Sequence, residues 1–196
     1  MNKDKVILDL CGGTGAWSKD YKNAGYNVQV ITLPKLDLLD EKTVEYCINL
    51  KPYGILFAVE CTIWANSGAQ YFDKRSPREV FYYSKLLVKG LRIIMATGPV
   101  FWCIENPIGK MREFLGSPKL IFNPCDYGDP YTKKTLLWGK FNIPVKNPVE
   151  PKFIVAKNGD KYSPVNWGTG GKTEKTKRLR SITPPCFARA FFEANQ

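Results

Sequence analysis

Two side chains with complementary chemistry follow apolar segments of the sequence. Cys61 comes shortly after the run Ile55 to Ala58, and Glu105 comes directly after Val100 to Ile104. A cysteine thiolate is a strong nucleophile, and a nearby carboxyl group can act as the acid that stabilises its adduct. Parallel strands that end at the same edge of a sheet place such residues in one cleft. The sequence therefore predicts a nucleophile, Cys61, and a carboxyl group, Glu105, in one cleft, and Asn106 follows Glu105 directly.

Structural roles are the alternatives for these three residues. Cysteine is among the most buried residue types, so Cys61 could be an inert core residue. Asn106 could cap the next helix, and Glu105 could form a solvated ion pair. The sequence contains no histidine, which excludes a histidine base and leaves acid and base chemistry to Glu, Asp, Lys, Tyr or Cys.

A glycine-rich turn follows the first apolar segment. In ILDLCGGTGAWS, residues 7 to 18, three glycines lie between that segment and a predicted helix. Glycines after a buried strand let the backbone approach a ligand closely, and the start of the next helix favours a negative group. The turn is typical of nucleoside-cofactor loops but does not match the dinucleotide pattern GxGxxG, and a turn without a ligand is the alternative.

Alternating strands and helices are predicted to position these motifs. We predict strands at Val6 to Leu10, Val28 to Ile31, Ile55 to Ala58 and Val100 to Ile104, and helices at Trp17 to Asn23, Glu41 to Leu50, Pro77 to Ala96 and Pro184 to Ala194. This order predicts an α/β fold with a mostly parallel sheet and helices on both faces. A hairpin is expected between Leu120 to Asn123 and Thr135 to Trp138, and residues 142–177 are expected to form a loop-like insertion.

Composition limits the class of protein. A length of 196 residues predicts one domain, and the net charge of +11 favours nucleic acid as a partner, although a basic protein without such a partner is the alternative. Six scattered cysteines favour a reducing cytoplasm over a disulfide scaffold, and the lack of CxxC and histidine disfavours zinc. We expect a soluble, cytoplasmic protein without a membrane segment, signal peptide or metal.

Five motifs, in the same order, resemble those of the cytosine-5 DNA methyltransferases. DLCGGTG resembles the first motif of that family, ECT stands where the family has its Pro-Cys nucleophile, and IENP is similar to its Glu-Asn-Val motif. Further on, YGDPYTKKTLLWG resembles the motif with basic contacts near the flipped base, and RSITPPCFARAFFEA resembles the late Arg-x-Leu-Thr-Pro motif. The resemblance covers most of the chain and extends to small phage-type cytosine methylases.

The resemblance implies a function and a set of site residues. It implies a Rossmann-like methyltransferase fold over residues 1–196 and a short recognition insertion at 139–180. It also implies methylation of carbon 5 of a cytosine flipped out of DNA, with Cys61, Glu105 and Asn106 as the catalytic residues. S-adenosylmethionine is the implied cofactor, bound by Asp9, Leu10, Cys11, Gly12, Gly13, Thr14, Gly15, Trp17 and Asp37. The expected nucleic-acid contacts are Lys133, Lys134, Lys172, Lys175, Lys177, Arg178 and Arg180. We expect a monomer, in the host cytoplasm if the protein is phage-encoded.

Glu60 departs from the family pattern, because it replaces the proline before the nucleophile. A nearby anion raises the pKa of a thiol, but successive side chains of a strand point to opposite faces, so Glu60 could point away from Cys61. We otherwise expect Lys74, Arg75 or the DNA-facing lysines to offset its charge.

Two further departures concern the cofactor and the target. The acidic residue that holds the cofactor ribose in the family is absent from VITLP, which leaves Asp37 or Asp40 as substitutes, and the recognition segment is short. The alternatives are therefore a catalytically impaired DNA-binding protein derived from a methylase, or an enzyme that modifies RNA or a free cytosine nucleotide.

Overall fold

The computed structural model describes residues 2–66, 71–167 and 179–196. The strands are β1 (Val6–Leu10), β2 (Asn27–Ile31), β3 (Gly54–Ala58), β4 (Phe101–Pro107), β5 (Leu120–Phe122), β6 (Thr135–Lys140), β7 (Ile154–Val155) and β8 (Lys161–Tyr162). The α-helices are α1 (Lys19–Asn23), α2 (Glu41–Asn49), α3 (Pro77–Thr97), α4 (Met111–Leu115), α5 (Pro164–Trp167) and α6 (Pro185–Ala194). Short 3-10 turns cover Phe72–Lys74 and Pro124–Asp126.

Six strands form one sheet in the order β2-β1-β3-β4-β6-β5. The first four are parallel, whereas β6 runs antiparallel to both of its neighbours. The carboxyl ends of β1, β3 and β4 therefore lie at one edge, and the beginning of β6 lies at the same edge because Thr135 pairs with Pro107. The predicted mostly parallel sheet and the predicted hairpin of β5 and β6 are confirmed.

Alternate residues of each strand pack on opposite faces of the sheet, as the two-residue period of a strand requires. Leu8 and Ile55 belong to a core shared with Val44 of α2 and Ile93 of α3. Ile7, Leu56 and Cys103 belong to a second core, which is shared with residues of α1 and α6 such as Tyr21, Phe187 and Phe191. Helices thus cover both faces, so the predicted Rossmann-like α/β fold is confirmed.

Strand β4 is longer than the sequence predicts. The prediction ended it before Glu105, but Glu105, Asn106 and Pro107 are paired with Leu137, Leu136 and Thr135 of β6. The extension is a tertiary effect, because the antiparallel partner supplies hydrogen bonds to residues that have little β propensity of their own. Glu105 and Asn106 are consequently held by the sheet rather than by a loop.

The beginning of α1 also differs from the prediction. The helix starts at Lys19 instead of Trp17, because the turn after β1 continues through Ser18. The longest helix, α3, is close to its prediction, since Ser76 and Glu79 form a capping box and Gly98 ends the helix in the left-handed conformation.

The predicted loop-like insertion contains more regular structure than expected. Strands β7 and β8 form a small antiparallel hairpin, and α5 follows it. The backbone N–H groups of Asn147 and Val149 donate to the carbonyls of Asp126 and Cys125, which attaches the segment to the body of the domain. Within the described ranges, no helix has the length and apolar character needed to cross a membrane.

Candidate active site

Cys61 and Glu105 lie at the same edge of the sheet. Ala58, the last residue of β3, pairs with Glu105 of β4, and Cys61 follows three residues later with an exposed, unbridged thiol. Asn106 is fully buried, and its side-chain amide donates to the carbonyl of Val59 at 2.8 Å. This bond fixes the backbone two residues before Cys61, so Asn106 holds the Cys61 segment against β4.

The segment after Cys61 is attached to the segment after β4. The N–H of Asn66 donates to the Ile108 carbonyl at 2.9 Å, and the N–H of Lys110 donates to the Trp64 carbonyl at 2.7 Å. An isolated bridge pairs Ala65 with Gly109. Sequence reasoning missed this role of Gly109, although the glycine is visible in the motif IENPIG.

The electrostatic surroundings of Cys61 come from three predicted site residues. Burial and the nearby Glu105 carboxyl raise the pKa of Cys61, while Lys133 and Arg180 lower it. Burial also raises the pKa of Glu105, and Lys133 opposes that shift. Lys133 donates a hydrogen bond from Nζ to the backbone carbonyl of Arg180 at 2.9 Å. This bond holds the Lys133 side chain against the backbone of Arg180. The structure therefore brings the predicted nucleophile, acid and two basic residues into one site.

Glu60 acts on the glycine-rich turn. Burial raises the pKa of Cys11 to about 12, and the carboxylates of Glu60, Asp9 and Asp37 contribute to that shift. The groups that shift Cys61 are Glu105, Lys133 and Arg180. The basic residues that lower the pKa of the Cys61 thiol are thus Lys133 and Arg180, and not Lys74 or Arg75 as the sequence also allowed.

The turn after β1 is built over the carboxyl group of Asp9. Asp9 is fully buried and accepts a hydrogen bond from the Ser18 hydroxyl at 2.6 Å, while its Oδ1 has no partner within the described part of the chain. Burial raises the pKa of Asp9 to about 6, against the lowering effect of Ser18. A Cβ on Gly12 would lie 2.3 Å from the Asp9 Cγ, so only glycine fits there.

The backbone of this turn repeatedly enters the left-handed region. Cys11 has φ 56°, Gly13 φ 54° and Gly15 φ 70°. Positive φ at the non-glycine Cys11 is uncommon and is held by its N–H donating to the Ile31 carbonyl at 2.8 Å. Gly13 and Thr14 are exposed, so the tip of the turn is open to a ligand.

The remaining predicted cofactor residues occupy different environments. Leu10 is fully buried in the sheet, and Trp17 packs in the core with its ring centroid 5.5 Å from that of Phe191. Asp40 caps α2, because its side chain accepts a hydrogen bond from the backbone N–H of Lys42. Asp37 is exposed, its Oδ1 accepts from the N–H of Leu39 at 2.9 Å, and it is close enough to raise the pKa of Cys11.

The basic residues predicted to contact nucleic acid fall into two groups. Lys134 and Arg180 are exposed, and Lys133 is half-buried beside Cys61. Lys172, Lys175, Lys177 and Arg178 lie outside the described residues. In residues 2–66, 71–167 and 179–196, no three Cys, Asp or Glu side chains come together in a way that could hold a metal ion.

Comparisons with known proteins identify no family for the chain. No protein-family model matches the sequence, and no curated protein is similar to it. Among solved structures, the chain is similar to a candidate DNA modification methyltransferase encoded within a prophage of E. coli, with 16% sequence identity and a TM-score of 0.49. The match covers 75% of this chain and 52% of that protein, so this chain spans about half the length of that relative.

Proposed function

We propose that the chain transfers a methyl group from S-adenosylmethionine to carbon 5 of cytosine in DNA through a covalent adduct at Cys61. The observation that supports this most directly is that Cys61, an exposed residue whose thiol is partly desolvated by its neighbours, lies beside Glu105 of the next strand and near Lys133 and Arg180. A core cysteine would not need an exposed position or cationic neighbours.

The turn after β1 fits a nucleoside cofactor. Asp9 leaves one carboxylate oxygen unpaired, Gly12 lies directly against it, and the exposed tip at Gly13 and Thr14 offers backbone groups. Asp37 is the residue we assign to the cofactor ribose. When bound there, S-adenosylmethionine supplies an electrophilic methyl group.

Cys61 attacks the substrate in its thiolate form. Burial and the Glu105 carboxyl hold the pKa of Cys61 above its ordinary value, and Lys133 and Arg180 oppose that shift, because a nearby cation stabilises the ionised form. The thiolate forms a bond to carbon 6 of the cytosine, and the electron pair of the 5,6 double bond makes carbon 5 nucleophilic. After methyl transfer, loss of the proton from carbon 5 restores the double bond and expels Cys61.

Glu105 serves as the acid for that adduct. Its raised pKa keeps more of it protonated near neutral pH than a solvated glutamate would be. A protonated carboxyl group can donate to ring nitrogen 3 as negative charge develops on the ring. Asn106 keeps the Cys61 segment in register with Glu105 through the Val59 carbonyl.

The basic surface beside the site suits a polyanion. Arg180 is exposed beside Cys61, Lys134 is exposed next to Lys133 in sequence, and the chain carries a net charge of +11. We assign them, with Lys133 and the four basic residues of 172–178, to the nucleic-acid phosphates. Carbon 6 of a stacked base is inaccessible, so the cytosine is expected to leave the helix before attack.

Trapping on DNA that contains 5-fluorocytosine tests the proposal. Fluorine cannot leave carbon 5 as a proton does, so a cofactor-dependent, denaturant-resistant complex is expected. Cys61→Ser should abolish the complex and Glu105→Gln should slow its formation, whereas Cys186→Ser, at another exposed cysteine, should change neither.

The labelled product identifies the class of substrate that the chain methylates. Incubation with labelled S-adenosylmethionine and DNA, RNA or dCMP should label DNA. Label in RNA or in dCMP alone would assign a different substrate. Binding of both cofactor and DNA without an adduct on any substrate would contradict the enzyme and favour the impaired DNA-binding protein.

A further inference from the structure

A cavity of about 350 Å³ lies at the edge of the sheet opposite to the candidate active site. Two cross-strand pairs on one face of β4 and β6 line it, Trp102 with Lys140 and Ile104 with Trp138. Leu91 of α3 contributes to one side, and the end of α4 contributes to another. Its volume is that of a small-ligand site, for which roughly 300 Å³ is the lower limit.

The two tryptophans of this cavity differ from the others in the chain. Trp17, Trp64 and Trp167 each pack against another aromatic ring. In residues 2–66, 71–167 and 179–196, neither Trp102 nor Trp138 forms such a pair. Trp102 is also only half-buried, so part of its indole surface stays open to a planar ligand. Stacking on an indole is favourable for an aromatic ring.

The backbone holds both indoles in place. The Nε1 of Trp138 donates to the Gly116 carbonyl at 2.9 Å. A Cβ on Gly139 would lie 2.8 Å from Cε3 of Trp102 and 2.2 Å from its carbonyl oxygen, so the Trp102 ring lies directly across Gly139. Aromatic walls that are already fixed lose little conformational freedom when a ligand binds.

Two lysines give the cavity a positive charge. Among the described residues, its lining includes Lys119 and Lys140 and no acidic side chain. Lys119 donates from Nζ to the Phe141 carbonyl, which leaves two ammonium protons for a ligand. In the part of the chain that the structure describes, the Nζ of Lys140 makes no hydrogen bond or ion pair. The cavity therefore favours a ligand that is both aromatic and anionic.

We propose that this cavity binds one nucleotide, with its base on Trp102 and its phosphate at Lys119 and Lys140. Aromatic side chains stack on every base, and lysines bind phosphate as point charges. The nucleotide is either free or the unpaired 5′ end of a strand, since both present the same groups. A cavity of this volume does not admit a duplex. The inference is independent of the proposed methyl transfer, because the two sites share no residue.

Calorimetry with AMP on the whole protein tests the site. AMP should bind in the presence of saturating S-adenosylhomocysteine, which reserves the turn after β1. Adenosine and ribose 5-phosphate, each of which lacks one half of the ligand, should bind more weakly than AMP. A single strand with a 5′-phosphate distinguishes the two sources: affinity equal to that of AMP assigns strand ends, and weaker binding assigns the free nucleotide.

Substitutions at the cavity should separate stacking from charge. Trp102→Leu should weaken AMP binding roughly five- to 150-fold, the range for a base on an aromatic side chain, and Trp102→Phe should retain most of the affinity. Lys140→Gln should weaken it roughly two- to fivefold, as for an exposed charge pair. The matched controls, which should bind AMP like wild type, are the exposed residues in Trp167→Leu and Lys22→Gln.

Several results would overturn the site. They are no AMP binding at millimolar ligand, loss of AMP binding when S-adenosylhomocysteine is added, adenosine binding as tight as that of AMP, and unchanged affinity in both Trp102→Leu and Lys140→Gln. If urea unfolding shows that Trp102→Leu does not fold, Lys140→Gln decides. A protein that binds AMP at this cavity but does not bind S-adenosylhomocysteine would contradict the proposed function and support this inference.

Discussion

Trp64 and Gly109 approach each other so closely that no side chain fits between them. A Cβ on Gly109 would lie 1.9 Å from the Trp64 carbonyl oxygen and 2.9 Å from backbone atoms of Ala65. These obstacles are backbone atoms, which cannot move aside as a flexible side chain does. Gly109 therefore fixes how the segment that carries Cys61 rests on the segment that follows Glu105.

Gly109→Ala should displace the Cys61 segment. We expect a loss of roughly 1 to 3 kcal/mol in the free energy of unfolding, as for other overpacked sites, and slower formation of the 5-fluorocytosine complex. Affinity for S-adenosylmethionine should stay close to wild type, because the turn after β1 is not touched. Denaturant unfolding, trapping rates and calorimetry measure the three quantities. Gly25→Asn is a suitable control, because Gly25 faces open space and asparagine tolerates its positive φ.

Replacing Lys133 should make the Cys61 thiol harder to ionise. Lys133 lowers the pKa of both Cys61 and Glu105, so Lys133→Met should raise both. Alkylation of Cys61 by iodoacetamide, followed by mass spectrometry over a pH series, should move to higher pH. Lys134→Met provides the matched control, since Lys134 is adjacent in sequence and exposed. An identical profile for both variants would show that Lys133 does not influence the thiol.

Ionisation of Asp9 should lower stability. Because burial raises its pKa from 3.8 to about 6, the folded protein holds the proton more tightly than the unfolded chain does. The contribution of Asp9 is therefore most favourable below the ordinary pKa and is lost as pH rises through about 6. Asp9→Asn should gain roughly 2 kcal/mol relative to wild type between about pH 4 and about pH 8. Urea unfolding without cofactor measures this, and a constant difference would contradict it.

The salt dependence of the proposed DNA binding should come from the exposed cations Lys134 and Arg180. Lys134→Ala and Arg180→Ala should each reduce the slope of log affinity against log salt by roughly 0.9, the value for one phosphate contact. Lys140→Ala, at the other end of β6, should leave the slope unchanged. If only Lys140→Ala reduces it, the nucleic-acid surface lies at the opposite edge of the sheet.

Much of the sheet could be predicted because short apolar runs followed by turn residues mark its strands in the sequence. The run Val6–Leu10 is fully apolar except for Asp9 and ends at glycines, and the strand has the predicted bounds. Cys61 and Glu105 could be placed at one edge because strands with helical crossovers are parallel and end together. The motif YGDPYTKKTLLWG predicted that Lys133 lies near the site of Cys61. It did not predict the hydrogen bond from Lys133 to the Arg180 carbonyl.

Features that depend on distant partners could not be predicted. The last residues of β4 are in the sheet because β6 pairs with them, and no local pattern encodes that pairing. The bond from Asn106 to the Val59 carbonyl joins residues 47 positions apart. The hairpin of β7 and β8 was missed because each strand has only two residues, too few for a periodic pattern.

The tip of the hairpin formed by β7 and β8 is a site where a foreign peptide can be inserted. Its hairpin turns at Asn158 and the exposed Gly159, whose φ is 88° and whose Cβ position faces open space. The turn is stabilised by its own contacts, such as the Asn158 amide donating to Asp160 at 2.7 Å. A foreign peptide grafted at this tip would extend from the domain without changing a strand of the main sheet. The hairpin tip is thus a point at which a foreign binding segment can be transplanted without redesign of the core.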